Sequence, residues 1–178
     1  MKKKLSTKRI VLAGLFLALG LLMPFITAQV PSIGRKLLPM HIPVLLGGFV
    51  MGWPAGLVVG LILPLFRSVL FGMPPLFPTA VAMTFELGTY GFLTGLLYER
   101  LPKNNVNIYA TLVLSMIGGR VVWGLVSLLL YGLQGASFSW QMFIGGALLN
   151  AVPGIIVQII LIPVVVMVLE KGNYLQNV

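Results

Sequence analysis

The chain has 178 residues, of which 58% are hydrophobic and only 8% are charged, and its net charge is +9. Soluble globular domains carry about 25% charged residues, so this composition excludes a soluble globule and predicts an integral membrane protein. Cysteine is absent, which excludes disulfides, a thiolate nucleophile and a cysteine metal site. Because the basic residues flank apolar segments, the positive charge indicates membrane orientation rather than nucleic-acid binding.

Apolar segments separated by glycine, proline and polar residues predict six membrane-spanning helices in one transmembrane domain, residues 1–178. The second segment is short for a hydrocarbon core of about 30 Å, so it is either extended by flanking residues or sits low in the membrane. It is counted as a span and turns into the third at Gly52-Trp53-Pro54. The fold class is therefore an all-α six-helix bundle. The predicted spans are 10–28, 39–52, 55–71, 79–98, 107–133 and 140–169.

Basic residues predict the orientation of these spans, because lysine and arginine accumulate on cytoplasmic loops. Six spans place eight of them on one side: Lys2, Lys3, Lys4, Lys8, Arg9, Arg100, Lys103 and Lys171. We therefore expect a multi-pass protein of the cytoplasmic membrane with both termini in the cytoplasm. A cleaved signal peptide is the alternative for the first segment, but that segment is too long, and Ile26 stands where cleavage after Ala28 needs a small residue.

Small residues recur four positions apart, which lets helix backbones approach closely in lipid. Three such pairs are interpreted mainly as internal packing: Gly48 with Gly52, Gly56 with Gly60, and Gly91 with Gly95. The fourth pair, Gly14 with Ala18, lies on the first helix, which has an outer face. Docking of a partner membrane protein and internal packing are both open there.

The spans contain too few ionisable groups for most kinds of catalytic or metal site. The chain has one histidine and no aspartate, and Glu86 is the only acidic residue within a span. Metal sites, nucleophile triads and proton relays need more such groups, and no phosphate-binding loop is present. We therefore expect no catalytic residue, no metal and no cofactor, which leaves binding.

Counting about 1.5 Å per residue along each span predicts that polar groups from five helices meet in the outer half of the membrane. They would line a cavity open to the outside under the loops 29–38, 72–78 and 134–139. The candidate substrate-binding residues are His41, Arg67, Glu86, Tyr90, Arg120, Trp123, Gln141 and Asn150.

Structural alternatives stay open for several of these residues. Glu86 and Arg120 could neutralise each other as a buried pair. Arg67 could extend to the outer headgroups, and His41 could hydrogen-bond at a helix start. Trp123 could belong to an interfacial aromatic belt. Gln158, counted to the inner half, is interpreted as an interhelical hydrogen-bonding residue.

Two segments carry a resemblance to a known family, LPMHIPVLLGGF at 38–49 and PLFRSVLFGMPPLFP at 64–78. Together with Gly56 to Gly60 and Glu86 to Tyr98, they resemble the substrate-binding S components of energy-coupling factor (ECF) vitamin transporters. The resemblance implies a six-helix subunit that binds a vitamin from outside. Its implied partners are a transmembrane coupling subunit and two cytoplasmic ATPase subunits.

The resemblance further implies a mechanism in which the loaded subunit topples in the lipid bilayer and releases its vitamin inward, and ATP hydrolysis by the partners resets it. In the family, an alanine-rich motif on the first helix docks on the coupling subunit. Gly14 and Ala18 occupy a comparable pattern, with glycine in place of one alanine.

Two arginines facing one cavity favour an anionic ligand, because a guanidinium pairs best with a carboxylate. Pantothenate is the preferred candidate, and cobalamin is the alternative because glycine-lined walls would suit a bulky ligand. Outside transport, a membrane scaffold and an intramembrane enzyme using His41 and Glu86 remain as rivals. A scaffold would not be stabilised by a small molecule, and the enzyme would lose turnover but retain binding in Glu86→Gln.

Overall fold

The structure is a computed structural model that describes residues 7–26 and 36–175. Within these ranges the regular structure is entirely helical. Five segments are long and apolar enough to cross a membrane, and α2 is a shorter apolar helix. The expected all-α membrane bundle is thereby confirmed. The helices are α1 (Thr7–Ile26), α2 (His41–Met51), α3 (Trp53–Phe71), α4 (Val81–Arg100), α5 (Asn105–Leu133), α6 (Trp140–Ile144) and α7 (Val152–Lys171).

Helix α4 is the centre of the bundle and packs against α2, α3 and α5. Helix α2 also packs against α1, α3 and α7, and nearly all of its residues are buried. A helix enclosed on every side needs apolar residues around its whole circumference, which explains why α2 has no polar face. The first helix is less enclosed and exposes one side along its length.

Glycines bring α3 and α4 into backbone contact. A Cβ atom at Gly91 would overlap the backbone of Gly56, and one at Gly60 would overlap the backbone of Leu87. A Cβ at Gly95 would likewise meet the backbone at Trp53. The predicted packing role of the Gly56–Gly60 and Gly91–Gly95 pairs is therefore confirmed, because only glycine allows this approach.

The predicted span 140–169 is not a regular α-helix along its whole length. A wide helical turn at Gly145–Leu149 and a turn at Asn150 and Ala151 separate α6 from α7, which begins at Val152 next to Pro153. The backbone at these junctions keeps right-handed helical dihedral angles, and the segment Trp140–Lys171 is apolar enough to form one span. A straight helix of thirty residues would measure about 45 Å, well beyond a core of about 30 Å, whereas the twenty residues of α7 match it.

The other boundaries differ less. A wide turn at Leu76–Ala80 leads into α4, and Trp53, assigned to a connecting turn from the sequence, is the first residue of α3. Residues 27–28 of the first predicted span lie outside the described residues, as do residues 29–35 of the first predicted capping loop.

The beginning of α1 and the end of α7 lie on the same face of the bundle. Both line a cavity of about 350 Å³, together with the ends of α2 and α4. The chain therefore passes from this face and back to it between them, which requires an even number of crossings such as the six predicted. We call this face the basic face because Arg9, Arg100, Lys103 and Lys171 lie at its helix ends. The cavity is lined by Arg9, Phe49, Val50, Met51, Gly52, Tyr98, Glu99, Lys103, Glu170 and Leu175.

Candidate functional site

Glu86 lies at the centre of a buried polar group contributed by three helices. Its Oε1 is 2.7 Å from Nη1 of Arg120 on α5 and accepts a hydrogen bond of 3.0 Å from the hydroxyl of Tyr90 on α4. Nε2 of His41, the first residue of α2, is 3.5 Å from the same oxygen. We call His41, Glu86, Tyr90 and Arg120 the buried cluster.

Local sequence explains this arrangement. Glu86 and Tyr90 are four residues apart, so they share one face of α4. Gly119 on α5 provides space for the Tyr90 ring, since a Cβ there would overlap the ring atoms. The ring of His41 lies 5.5 Å from that of Tyr90, centroid to centroid. Gly119 and the rings of Tyr90 and His41 therefore allow three helices to meet at the carboxylate of Glu86.

The cluster is almost sealed within the bundle. The side chain of Glu86 is 2% exposed and that of Arg120 is 13% exposed. An isolated carboxylate in such surroundings would be strongly disfavoured, so Arg120 and Tyr90 supply the charge and the hydrogen bond that keep it there. Of the two arrangements that the sequence left open for Glu86, pairing with Arg120 is the one observed.

The position of the cluster follows from the length of α4. Glu86 precedes Tyr98, which lines the basic-face cavity, by twelve residues, or about 18 Å of helix. The cluster therefore lies in the half of the bundle remote from the basic face. Four of the eight predicted binding residues meet there.

Arg67 lies apart from the buried cluster. Its Nη1 donates a hydrogen bond of 2.6 Å to the carbonyl oxygen of Leu21 on α1, and its guanidinium lies 5.3 Å from the ring centroids of both Phe25 and Phe71. The residue is 3% exposed, so it does not extend to the surface. Among the described residues no carboxylate lies within ion-pairing distance of it. Arg67 therefore ties α3 to α1.

Trp123 lies one turn beyond Arg120, away from the basic face. Its ring stacks on Phe143 at 6.2 Å and meets Phe138 edge-on at 5.8 Å. Phe138 precedes α6, so these rings join the far end of α5 to the segment that follows it. The remaining predicted residues, Gln141 and Asn150, are exposed on the short segments before α7.

The predicted docking pair lies on the open side of α1. Gly14 and Ala18 are both exposed, and a Cβ at Gly14 would meet nothing within 4 Å. This contrasts with Gly20 on the same helix, where a Cβ would overlap the side chain of Leu63. Gly20 is a packing residue, and Gly14 has no packing role within the described bundle.

Gln158 on α7 is a buried polar residue whose environment differs from the one predicted. It is 1% exposed, and its Nε2 has no hydrogen-bond partner among the described residues. It lies six residues after the start of α7, whereas counting from Trp140 moved it to the inner half. Glycines and Pro153 between Trp140 and Gln158 were the signal in the sequence that the first part of this span is irregular.

A second polar group, not predicted, lies on the basic face. The hydroxyl of Tyr98 donates a hydrogen bond of 2.5 Å to Oε1 of Glu170 on α7. Nζ of Lys103 donates to the carbonyl oxygen of Tyr98 and lies 3.2 Å from the centroid of its ring. Partial burial lowers the pKa of Lys103. We call Tyr98, Lys103 and Glu170 the basic-face cluster.

Comparison with known proteins gives one match. A family model described as "ECF transporter, substrate-specific component" matches residues 8–166. No curated protein and no solved structure matches the chain.

Proposed function

The chain belongs to the family of ECF transporter substrate-specific components, and we propose that it captures a vitamin from outside the cell and delivers it to the cytoplasm. The observation that carries this proposal is the buried cluster. Four polar side chains from three helices converge within an apolar bundle, where such groups are costly and mark sites of function. We propose that the cluster lines the innermost part of the substrate site.

Orientation supports capture from outside. The positive-inside rule assigns the basic face to the cytoplasm, so the buried cluster lies in the outer half of the membrane. Arg120 is more exposed than Glu86, which makes its guanidinium the member of the pair that a ligand can reach. The aromatic side chains around Trp123 lie above it and are suited to cover a bound ligand.

Charge favours an anionic ligand. The outer half holds Arg67 and Arg120 against the single carboxylate of Glu86, since the other two acidic residues, Glu99 and Glu170, line the basic-face cavity. A net positive charge in a membrane interior is best compensated by an anion such as a carboxylate. Pantothenate carries a carboxylate together with hydroxyl and amide groups, and it remains our preferred substrate.

Cobalamin, the alternative substrate, gains no support from the structure. It was considered because the abundant glycines could line a wide pocket for a bulky ligand. Gly56, Gly60, Gly91 and Gly95 instead fill a helix interface, where they leave no space. Pantothenate therefore stands ahead of cobalamin on charge rather than on pocket width.

We further propose that Gly14 and Ala18 dock on a transmembrane coupling subunit that acts with two cytoplasmic ATPases. The exposed small residues on α1 would let a partner helix approach closely, as such residues do in lipid. Because α1 is held to α3 through Arg67, the docking helix moves with the bundle. This is the coupling that toppling of a loaded subunit requires.

The substrate is tested by mass spectrometry of small molecules retained by the purified protein, followed by thermal unfolding with a panel of vitamins. We expect pantothenate to raise the unfolding temperature of the wild-type protein. The double variant Glu86→Gln with Arg120→Met leaves no unpaired buried charge and should abolish this increase in a folded bundle, and Arg67→Met should reduce it less. Absence of stabilisation by any vitamin in the panel would favour the membrane scaffold instead.

Docking is tested separately by uptake in cells that contain the coupling module. Gly14→Leu and Ala18→Leu should abolish uptake and leave binding of the vitamin unchanged. Gly132→Leu, which adds the same bulk at an exposed position of α5 where a Cβ would meet nothing within 4 Å, is the matched control and should leave both unchanged. Uptake that survives both α1 substitutions would exclude this face of α1 as the docking surface.

A further inference from the structure

Gln158 belongs to the face of α7 that is turned into the bundle. The buried residues of this helix include Gly154, Gln158, Ile162 and Val166, which recur every four positions. Residues at this spacing lie on one face of a helix. The side-chain amide of Gln158 therefore projects from the inward face of α7, where its Nε2 lacks a hydrogen-bond partner.

Two contacts establish the level of Gln158 in the bundle. On the basic face, Tyr98 of α4 is hydrogen-bonded to Glu170 of α7. Glu86 precedes Tyr98 by twelve residues, and Gln158 precedes Glu170 by twelve residues, which is about 18 Å along each helix. Gln158 is therefore level with Glu86.

The second contact gives the same result from the opposite end. A Cβ at Gly154 would meet the backbone of Lys36 and Leu37, just before α2. Gln158 lies one turn further along α7, and His41 lies four residues further along the chain, at the start of α2. Since α2 packs against α7, this count places Gln158 near the level of His41.

Gln158 lacks a polar partner that His41 has. Nε2 of Gln158 has no hydrogen-bond partner among the described residues, whereas Nε2 of His41 lies 3.5 Å from Oε1 of Glu86. Two buried threonines, Thr94 and Thr111, have unpartnered hydroxyls as well, but a threonine in a helix can bond a carbonyl of its own preceding turn. Glutamine, with its longer side chain, requires a partner from outside its own helix.

We propose that Gln158 is a substrate-binding residue and that it forms the uncharged side of the site whose charged side is Glu86 and Arg120. Gln158 donates from Nε2 to a carbonyl or hydroxyl oxygen of the substrate, while Arg120 pairs with an anionic group. The substrate class is then a carboxylate that carries a neutral amide or alcohol. This inference rests on the proposed function of the same site.

The test compares wild-type protein with Gln158→Leu and with the control Thr94→Val. Thr94 is also fully buried, also has an unpartnered polar atom and lies eight residues nearer the basic face than Glu86. Each variant is purified, freed of bound small molecules and unfolded thermally without ligand, and pantothenate is then titrated. Without ligand, we expect Gln158→Leu to unfold at the wild-type temperature or above it, because an unpartnered polar group has been removed.

With pantothenate as the probe, Gln158→Leu should bind at least about tenfold more weakly than wild type, and Thr94→Val should bind equally well. Equal affinity of Gln158→Leu and wild type would overturn the inference and leave the proposed function standing. A ligand-free Gln158→Leu that unfolds well below Thr94→Val would also overturn it, since the amide would then be structural. If wild type binds no vitamin, the proposed function fails, and the ligand-free comparison still decides the role of the amide.

Discussion

The buried cluster and the basic-face cluster combine the same kinds of group in opposite surroundings. Each joins one glutamate to one tyrosine hydroxyl, and each includes one lysine or arginine, with His41 in addition in the buried cluster. Glu86 is almost completely buried, whereas Glu170 is half-buried and Lys103 is exposed on a loop. Similar contacts therefore differ in energy, because water can compete for the groups of the basic-face cluster but not for those of the buried cluster.

In the buried cluster, each member depends on the others. Removal of one partner leaves an uncompensated charge in an apolar interior, and water cannot replace it. On the basic face, water can take the place of any lost partner, so each contact contributes little. We have proposed ligand recognition for the buried cluster, whereas the basic-face cluster connects the ends of α4 and α7 locally.

Neutralising Glu86 and Glu170 in turn should give the largest difference in stability between the two clusters. Glu86→Gln leaves Arg120 buried without its carboxylate and should lower the free energy of unfolding by about 3 to 5 kcal/mol. Glu170→Gln should lower it by no more than about 1 kcal/mol. Thermal unfolding in detergent measures both, and about 2 to 4 °C per kcal/mol is expected for a chain of this size.

The double variant Glu86→Gln with Arg120→Met is the control for that contrast. It removes both charges and should recover most of the stability that the single variant loses, because no unpaired charge remains. A double variant as unstable as Glu86→Gln would show that the carboxylate stabilises the bundle in some way other than through Arg120.

The matched tyrosines test the same difference through a single hydroxyl. Tyr90→Phe removes a donor to a buried carboxylate and should cost about 1.5 to 3 kcal/mol. Tyr98→Phe removes the hydrogen bond to Glu170, which water can replace in part, and should cost about 0.5 to 1 kcal/mol. Equal losses measured by thermal unfolding would mean that the two sites do not differ in water access.

Much of the architecture was predictable because it depends on composition and spacing. A helix in lipid must be apolar over about twenty residues, and backbone contact between α3 and α4 requires glycine at fixed intervals. The meeting of His41, Glu86 and Arg120 also followed from counting residues along helices. The depth of a residue in the membrane depends only on its distance along the helix, which can be counted from the sequence.

The neighbouring helix toward which a side chain points is harder to predict from the sequence. Arg67 was assigned to the outer half but turns toward Leu21 on α1, which no count along α3 could show. Gln158 was counted to the inner half from Trp140, whereas counting back from the contact of Glu170 with Tyr98 places it near the level of Glu86. Errors of this kind arise where a helix is interrupted or where several of its faces are buried.

Lys103 provides the smallest expected effect and tests whether the basic-face cluster belongs to the solvated surface. Replacement by Met keeps the length of the side chain and should change stability by no more than about 0.5 kcal/mol. Partial burial lowers the pKa of Lys103 below its ordinary value of 10.5, so the folded state disfavours the ammonium form. The wild type should therefore gain stability relative to Lys103→Met as the pH rises through the lowered pKa toward 10.5. Thermal unfolding of both proteins over this range measures the sign, and a relative loss for the wild type would mean that Glu99 and Glu170 outweigh the burial of the lysine.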